Sequence, residues 1–137
     1  MKPITILLAE DSAEDVNLIR EAFDYHQFYA DLRPVADGVE AMAYLRGEGE
    51  HTEAPEADLM LLDLNMPRKD GREVLTEVKG DRDLHTLPVV ILTTSDAEAD
   101  VNTAYQQRAN AFLTKPVRFD DFLDLIRKLG EFWLTAV

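Results

Sequence analysis

Short apolar runs of strand length alternate with segments of helical periodicity along the chain, and few folds can satisfy that alternation. "ITILLA" (4–9) is a continuous, β-branched apolar run of the kind a strand buried on both faces requires. It stops at Glu10 and Asp11. Ser12, with Asp15 three positions on, has the form of a capping box, and Val16, Ile19, Ala22 and Phe23 then recur at helical spacing. "LRPVA" (32–36) is a weaker strand whose Pro34 cannot donate to a ladder, which puts it on a sheet edge. "DGVEAMAYLRG" reads as a helix with Val39, Met42 and Tyr44 or Leu45 inward and Gly47 as its stop. Residues 47–57, "GEGEHTEAPEA", carry no periodicity and are expected to form an exposed loop. Strand "DLMLLD", loop "LNMPRKDG", helix "REVLTEVKG", strand "LPVVILTTS", helix "DAEADVNTAYQQR" and strand "AFLTK" follow. The last segment, "RFDDFLDLIRKLGEFWLTAV", is apolar at Phe119, Phe122, Leu125, Ile126 and Leu129.

Five strands alternating with five helices imply βαβ crossovers, a parallel sheet and helices on both faces, an α/β fold. Ligands of such sheets bind beyond the carboxyl ends of the strands. Four strand ends here are polar: Glu10 and Asp11, then Asp63, then Thr93 and Thr94, then Thr114 and Lys115. At 137 residues the expectation is a single domain over 1–137 with no output domain. Acidic residues outnumber basic ones by 27 to 14, giving a net charge of −13 that repels phosphate backbones and anionic lipid. Direct nucleic-acid or membrane binding is therefore not expected. The absence of cysteine excludes disulfides, thiolate chemistry and cysteine-ligated zinc. The apolar run at the amino terminus is too short for a signal sequence or a span, so the cytoplasm is the expected compartment.

Carboxylates gathered at one sheet edge raise each other's proton affinity unless a cation joins them. Oxygen donors without neighbouring His or Cys suit Mg²⁺. A single acid at a strand end is more often a helix cap, and it is the convergence of several strand ends that favours a site.

These residues resemble the receiver domain of two-component response regulators: Glu10 and Asp11 after the first strand, Asp63 in "LLDLNMP", the hydroxyl in "ILTTS" and the lysine in "LTKP" stand in that family's order and spacing, which selects Thr93 over Thr94. The resemblance implies a flavodoxin-like (βα)5 doubly wound sandwich whose five-stranded parallel sheet has the order 2-1-3-4-5. It also implies a phosphoacceptor signalling domain rather than an enzyme. Asp63 would take a phosphoryl group from a sensor histidine kinase and pass the signal on through protein contacts. Asp11, Asp63 and the main-chain carbonyl of Asn65 would hold Mg²⁺, with Glu10 acting through water. Lys115 and Thr93, expected at the rim, would answer the phosphoryl group, and Phe112 would be the aromatic switch. Asn65 and Ser95 would flank the path of the hydrolytic water, and the Lys115–Pro116 bond would be cis. Glu10 departs mildly from the family's usual aspartate pair. The stretches "DGVEAMAYLRG", "LNMPRKDGREVL" and "EFWL" are most similar to the small stand-alone regulators of bacterial phytochrome-type histidine kinases.

Other functions fit less well. A dehalogenase-type phosphatase needs a second acid two positions after its nucleophile, and Asn65 stands there. A flavodoxin-like cofactor binder would place phosphate after the first strand, against Glu10 and Asp11. A receiver that is not phosphorylated would lack residues that are all present here. The last segment carries apolar surface beyond one stripe, at Leu123, Phe132, Trp133 and Leu134, and this predicts a homodimer through the C-terminal helix region.

Overall fold

The computed structural model describes residues 3–94, 102 and 108–133, with the side chains of the final helix described as far as Glu131. Elements run in the order β1 (Ile4–Ala9), α1 (Ala13–Tyr25), β2 (Ala30–Val35), α2 (Gly38–Leu45), a 3-10 turn (Gly49–His51), β3 (Leu59–Leu62), α3 (Gly71–Gly80), β4 (Val89–Thr93), β5 (Ala111–Thr114) and α4 (Phe119–Trp133). Ser95, most of the helix expected over 96–108, Leu134 and the side chains of Phe132 and Trp133 lie outside the described residues, and with them the core of the expected dimer surface.

All strand pairings are parallel and the sheet has the expected order β2-β1-β3-β4-β5. The continuous apolar runs are explained by two cores, one on each face. Leu7, Ala9, Met60, Leu62, Val89 and Ile91 pack against Ala41, Met42, Val74, Leu75 and Val78 of α2 and α3. The alternate residues Ile6, Leu8, Leu59, Leu61, Val90 and Leu92 pack against Ile19, Ala22, Phe23, Phe122, Ile126 and Leu129 of α1 and α4. Each strand residue therefore faces one helix layer or the other, and none of these positions can be polar without loss.

Several local expectations are corrected. Val39 and Phe119 were assigned to buried faces, yet each is 43% exposed. Gly38, Ala41 and Met42 form the buried stripe of α2, so Val39 projects to one side of it. Phe119 is the first residue of α4 and lines a cleft with Asp15 and Lys115. The loop after α2 is largely exposed, as expected, and two contacts hold it: Tyr44 donates its hydroxyl to the Pro55 carbonyl (2.7 Å), and the His51 ring lies 3.2 Å from Glu40. Ser12 caps α1 by accepting from the Asp15 N–H (3.2 Å), but the return bond of a capping box is missing because the Ser12 N–H goes to Glu10.

Candidate functional site

Main-chain bonds bring the strand ends together. The Asp63 N–H donates to the Ala9 carbonyl (3.0 Å) and the Lys115 N–H to the Thr93 carbonyl (2.8 Å), while the Glu10 N–H donates to Val35 (2.9 Å). Two glycines let neighbouring backbone close over this edge. A Cβ on Gly71, the first residue of α3, would lie 2.7 Å from Leu64 Cα and even nearer the Asp63 carbonyl. One on Gly38 would lie 2.8 Å from the Lys69 carbonyl carbon. Asp70 and Asp37, each preceding one of these glycines, cap α3 and α2. Arg68, at φ 65°, also ties its loop to Asp37 (Nε to Oδ2, 2.8 Å).

Asp63 is the centre of the arrangement. Its Oδ1 accepts from the Thr93 hydroxyl (2.8 Å) and the Asn65 N–H (3.0 Å), and its Oδ2 meets Lys115 Nζ at 3.0 Å. Burial works to raise the Asp63 carboxyl, but Asn65, Lys115 and Thr93 together hold it below the usual carboxylate range. Lys115 Nζ also contacts Glu10 Oε1, and lies 2.8 Å from Asp15 Oδ2. Burial opposes the lysine's charge, and these three carboxylates outweigh it and raise its proton affinity. For Glu10 the balance is reversed: burial dominates the pull of Lys115 and pushes its carboxyl up to about 7.

The expected residues Glu10, Asp11, Asp63, Asn65, Thr93 and Lys115 thus meet at one edge. Thr93 and Lys115 do not lie at the rim as expected. Both are buried, with Asn65 after β3 against Thr93 and Asp15 of α1 against Lys115. Phe112 is half-buried and packs against the α2/α3 core rather than touching Asp63. The Lys115–Pro116 bond is trans, since no described peptide bond is cis. Trans is the intrinsic preference of an X–Pro bond by about 0.5–1 kcal/mol, and in this geometry the lysine reaches all three carboxylates. Asp15 was read from the sequence only as part of a cap. Its contact with Lys115, 100 positions away, is a tertiary one that no local pattern signals.

Carboxylate oxygens of Glu10, Asp11 and Asp63 lie within 4.8 Å of one another. Asp11 is exposed while the other two are buried, so the group opens to solvent on one side. This all-oxygen set fits a hard divalent cation such as Mg²⁺. The lysine ammonium already among these acids shows the local demand for positive charge.

Residues 6–127 match the response regulator receiver domain family. The chain belongs to that family. This receiver domain is 43% identical over 135 residues to response regulator Rcp1 of Synechocystis, covering 98% of the chain and 92% of that protein. It superposes on the phosphorylated cyanobacterial phytochrome response regulator RcpA with a TM-score of 0.93, at 43% identity, covering 98% of this chain and 96% of the other. The Mn²⁺-bound form of Rcp1 gives 0.92 at the same identity, with 98% and 97% covered. Acceptance of a phosphoryl group in signalling is the function of this receiver family, and its members bind Mg²⁺ in an acidic pocket. No helix among the described residues is long and apolar enough to cross a membrane.

Proposed function

We propose that Asp63 is the phosphoacceptor of a Mg²⁺-dependent switch charged by a sensor histidine kinase of the phytochrome type. The observation that carries this reading is the Asp63 carboxylate, buried and addressed on one oxygen by Thr93 and Asn65 and on the other by Lys115. As the P–N bond of a kinase phosphohistidine breaks, a P–O bond to this carboxylate forms. Such transfer is governed by positioning and by charge on the phosphoryl oxygens. Lys115 would supply a permanent positive charge, and the Thr93 hydroxyl would turn from Asp63 to a phosphoryl oxygen. Mg²⁺ held by Asp11 and Asp63, with Glu10 through water, would supply the remaining positive charge. Phe112 would follow Thr93 by repacking alone, having no hydroxyl. The likeness to a phosphorylated phytochrome regulator and to a Mn²⁺-bound one supports the partner and the cation.

Incubation with acetyl phosphate and Mg²⁺, read by intact mass, should add one phosphoryl group to the wild type and none to Asp63→Asn. An unmodified wild type, or an equal adduct on the variant, would overturn the assignment. A phytochrome-type kinase labelled with phosphate should transfer it to wild type and not to Asp63→Asn, and failure with that kinase alone would remove the partner but leave the acceptor.

A further inference from the structure

Lys115 and a divalent cation draw on the same carboxylates. The ammonium contacts Glu10 and Asp63, two of the three carboxylates close enough together to share an ion. Two positive groups at contact distance on the same pair of carboxylates repel each other. Cation entry therefore favours a shift of the lysine away from them. A buried ammonium that lost its partners would bear an uncompensated desolvation cost, and Lys115 is only 5% exposed at its side chain.

Asp15 offers a place for it. Its Oδ2 is 2.8 Å from Lys115 Nζ, and it stands outside the group of carboxylates within ligating distance of one another. Its side chain is 27% exposed, against 2% for Glu10 and 8% for Asp63, so moving toward Asp15 is moving toward water. Both residues line a cleft of about 320 Å³ with Leu18, Pro116 and Phe119, which leaves room for the shift. The backbone of the anchor is held, because the Asp15 N–H donates to the Ser12 hydroxyl at the start of α1 (3.2 Å).

We propose that Asp15 is a positioning residue that receives the Lys115 ammonium when a divalent cation enters the Glu10, Asp11 and Asp63 group. This rests on the cation reading above and deepens it. An ammonium has three donors, so one held by Asp15 leaves two to face a phosphoryl oxygen on Asp63. Asp15 thereby makes cation binding and retention of the lysine compatible.

The test is calorimetric titration of Mg²⁺ into five folded proteins: wild type, Asp15→Asn, Asp15→Glu, Lys115→Met and the Asp15→Asn, Lys115→Met double variant. Asp15→Asn should weaken Mg²⁺ about tenfold, the scale seen when a partner of a metal-site residue is lost. Asp15→Glu should recover most of that. In the Lys115→Met background, Asp15→Asn should change affinity by less than about twofold, because the lysine that Asp15 serves is gone. Equal losses in both backgrounds would reduce Asp15 to a general negative charge, and no loss in either would also overturn the proposal. A wild type that binds no Mg²⁺ would instead refute the cation reading. If Lys115→Met does not fold, the ammonium resonance of Lys115 in Mg²⁺-saturated protein decides the matter. It should stay protected from solvent exchange in wild type and lose protection in Asp15→Asn, and similar protection in both would overturn the assignment.

Discussion

Glu10 gives the site a pH dependence of unusual sign. Its carboxyl is pushed from an ordinary 4.5 to about 7, chiefly by burial, so between those values the folded chain holds a proton that the unfolded chain releases. Stability from this group is present below 4.5 and is lost as pH rises through 7. Asp63 and Asp37, both held below 3.8, stay ionised across that window and add no slope there. In metal-free buffer the melting temperature of wild type should therefore fall between pH 5 and 7.5 relative to Glu10→Gln, and parallel curves would contradict the burial argument. Glu10, Asp11, Asp63, Thr93 and Lys115 were legible in the sequence because each follows an apolar run, and a parallel sheet gathers such ends. Asp15 was not, since its meeting with a lysine 100 positions away depends on how α1 packs beside β5.

At the scale of elements, every strand was legible and β1 matches its expected bounds, because runs such as "LMLL" fit only a strand covered on both faces. The bounds of β2 are Ala30–Val35 rather than 32–36, and those of β4 Val89–Thr93 rather than 87–95. Helix faces were harder. In the eight residues of α2, a stripe through Val39 and Met42 and one through Gly38, Ala41 and Met42 are equally periodic, and contact with Lys69 at Gly38 chooses between them. That same tightness makes a prediction about α3. Gly71→Ala must push apart Asp63 and the helix start, and should cost about 1–3 kcal/mol in urea unfolding, with slower uptake from acetyl phosphate. Gly80, at the other end of α3, has nothing within 4 Å of an added Cβ and ordinary φ. Gly80→Ala should be neutral or stabilise by up to about 1 kcal/mol, through helix propensity. Equal costs at the two ends would mean that the close approach at Gly71 is not what positions α3.

Over the whole molecule, a net charge of −13 means that any salt relieves some self-repulsion, so stabilisation by Mg²⁺ alone proves little about a site. The local imbalance is what distinguishes the two effects. Glu10, Asp15 and Asp63 converge on one ammonium at a single edge of the sheet, and Asp11 stands beside Glu10 and Asp63 there. Monovalent salt should raise the melting temperature of wild type and Asp11→Ala alike, since screening does not depend on one exposed carboxylate. Mg²⁺ at matched ionic strength should add a further increment only in wild type. At a hundredfold excess over its dissociation constant that increment corresponds to about 2.7 kcal/mol, or roughly 5–10 °C for a chain of this size. An Asp11→Ala variant that gains as much from Mg²⁺ as wild type would place the cation elsewhere. One that loses the increment but keeps the response to monovalent salt would tie the stabilisation to the edge where Asp63 awaits its phosphoryl group.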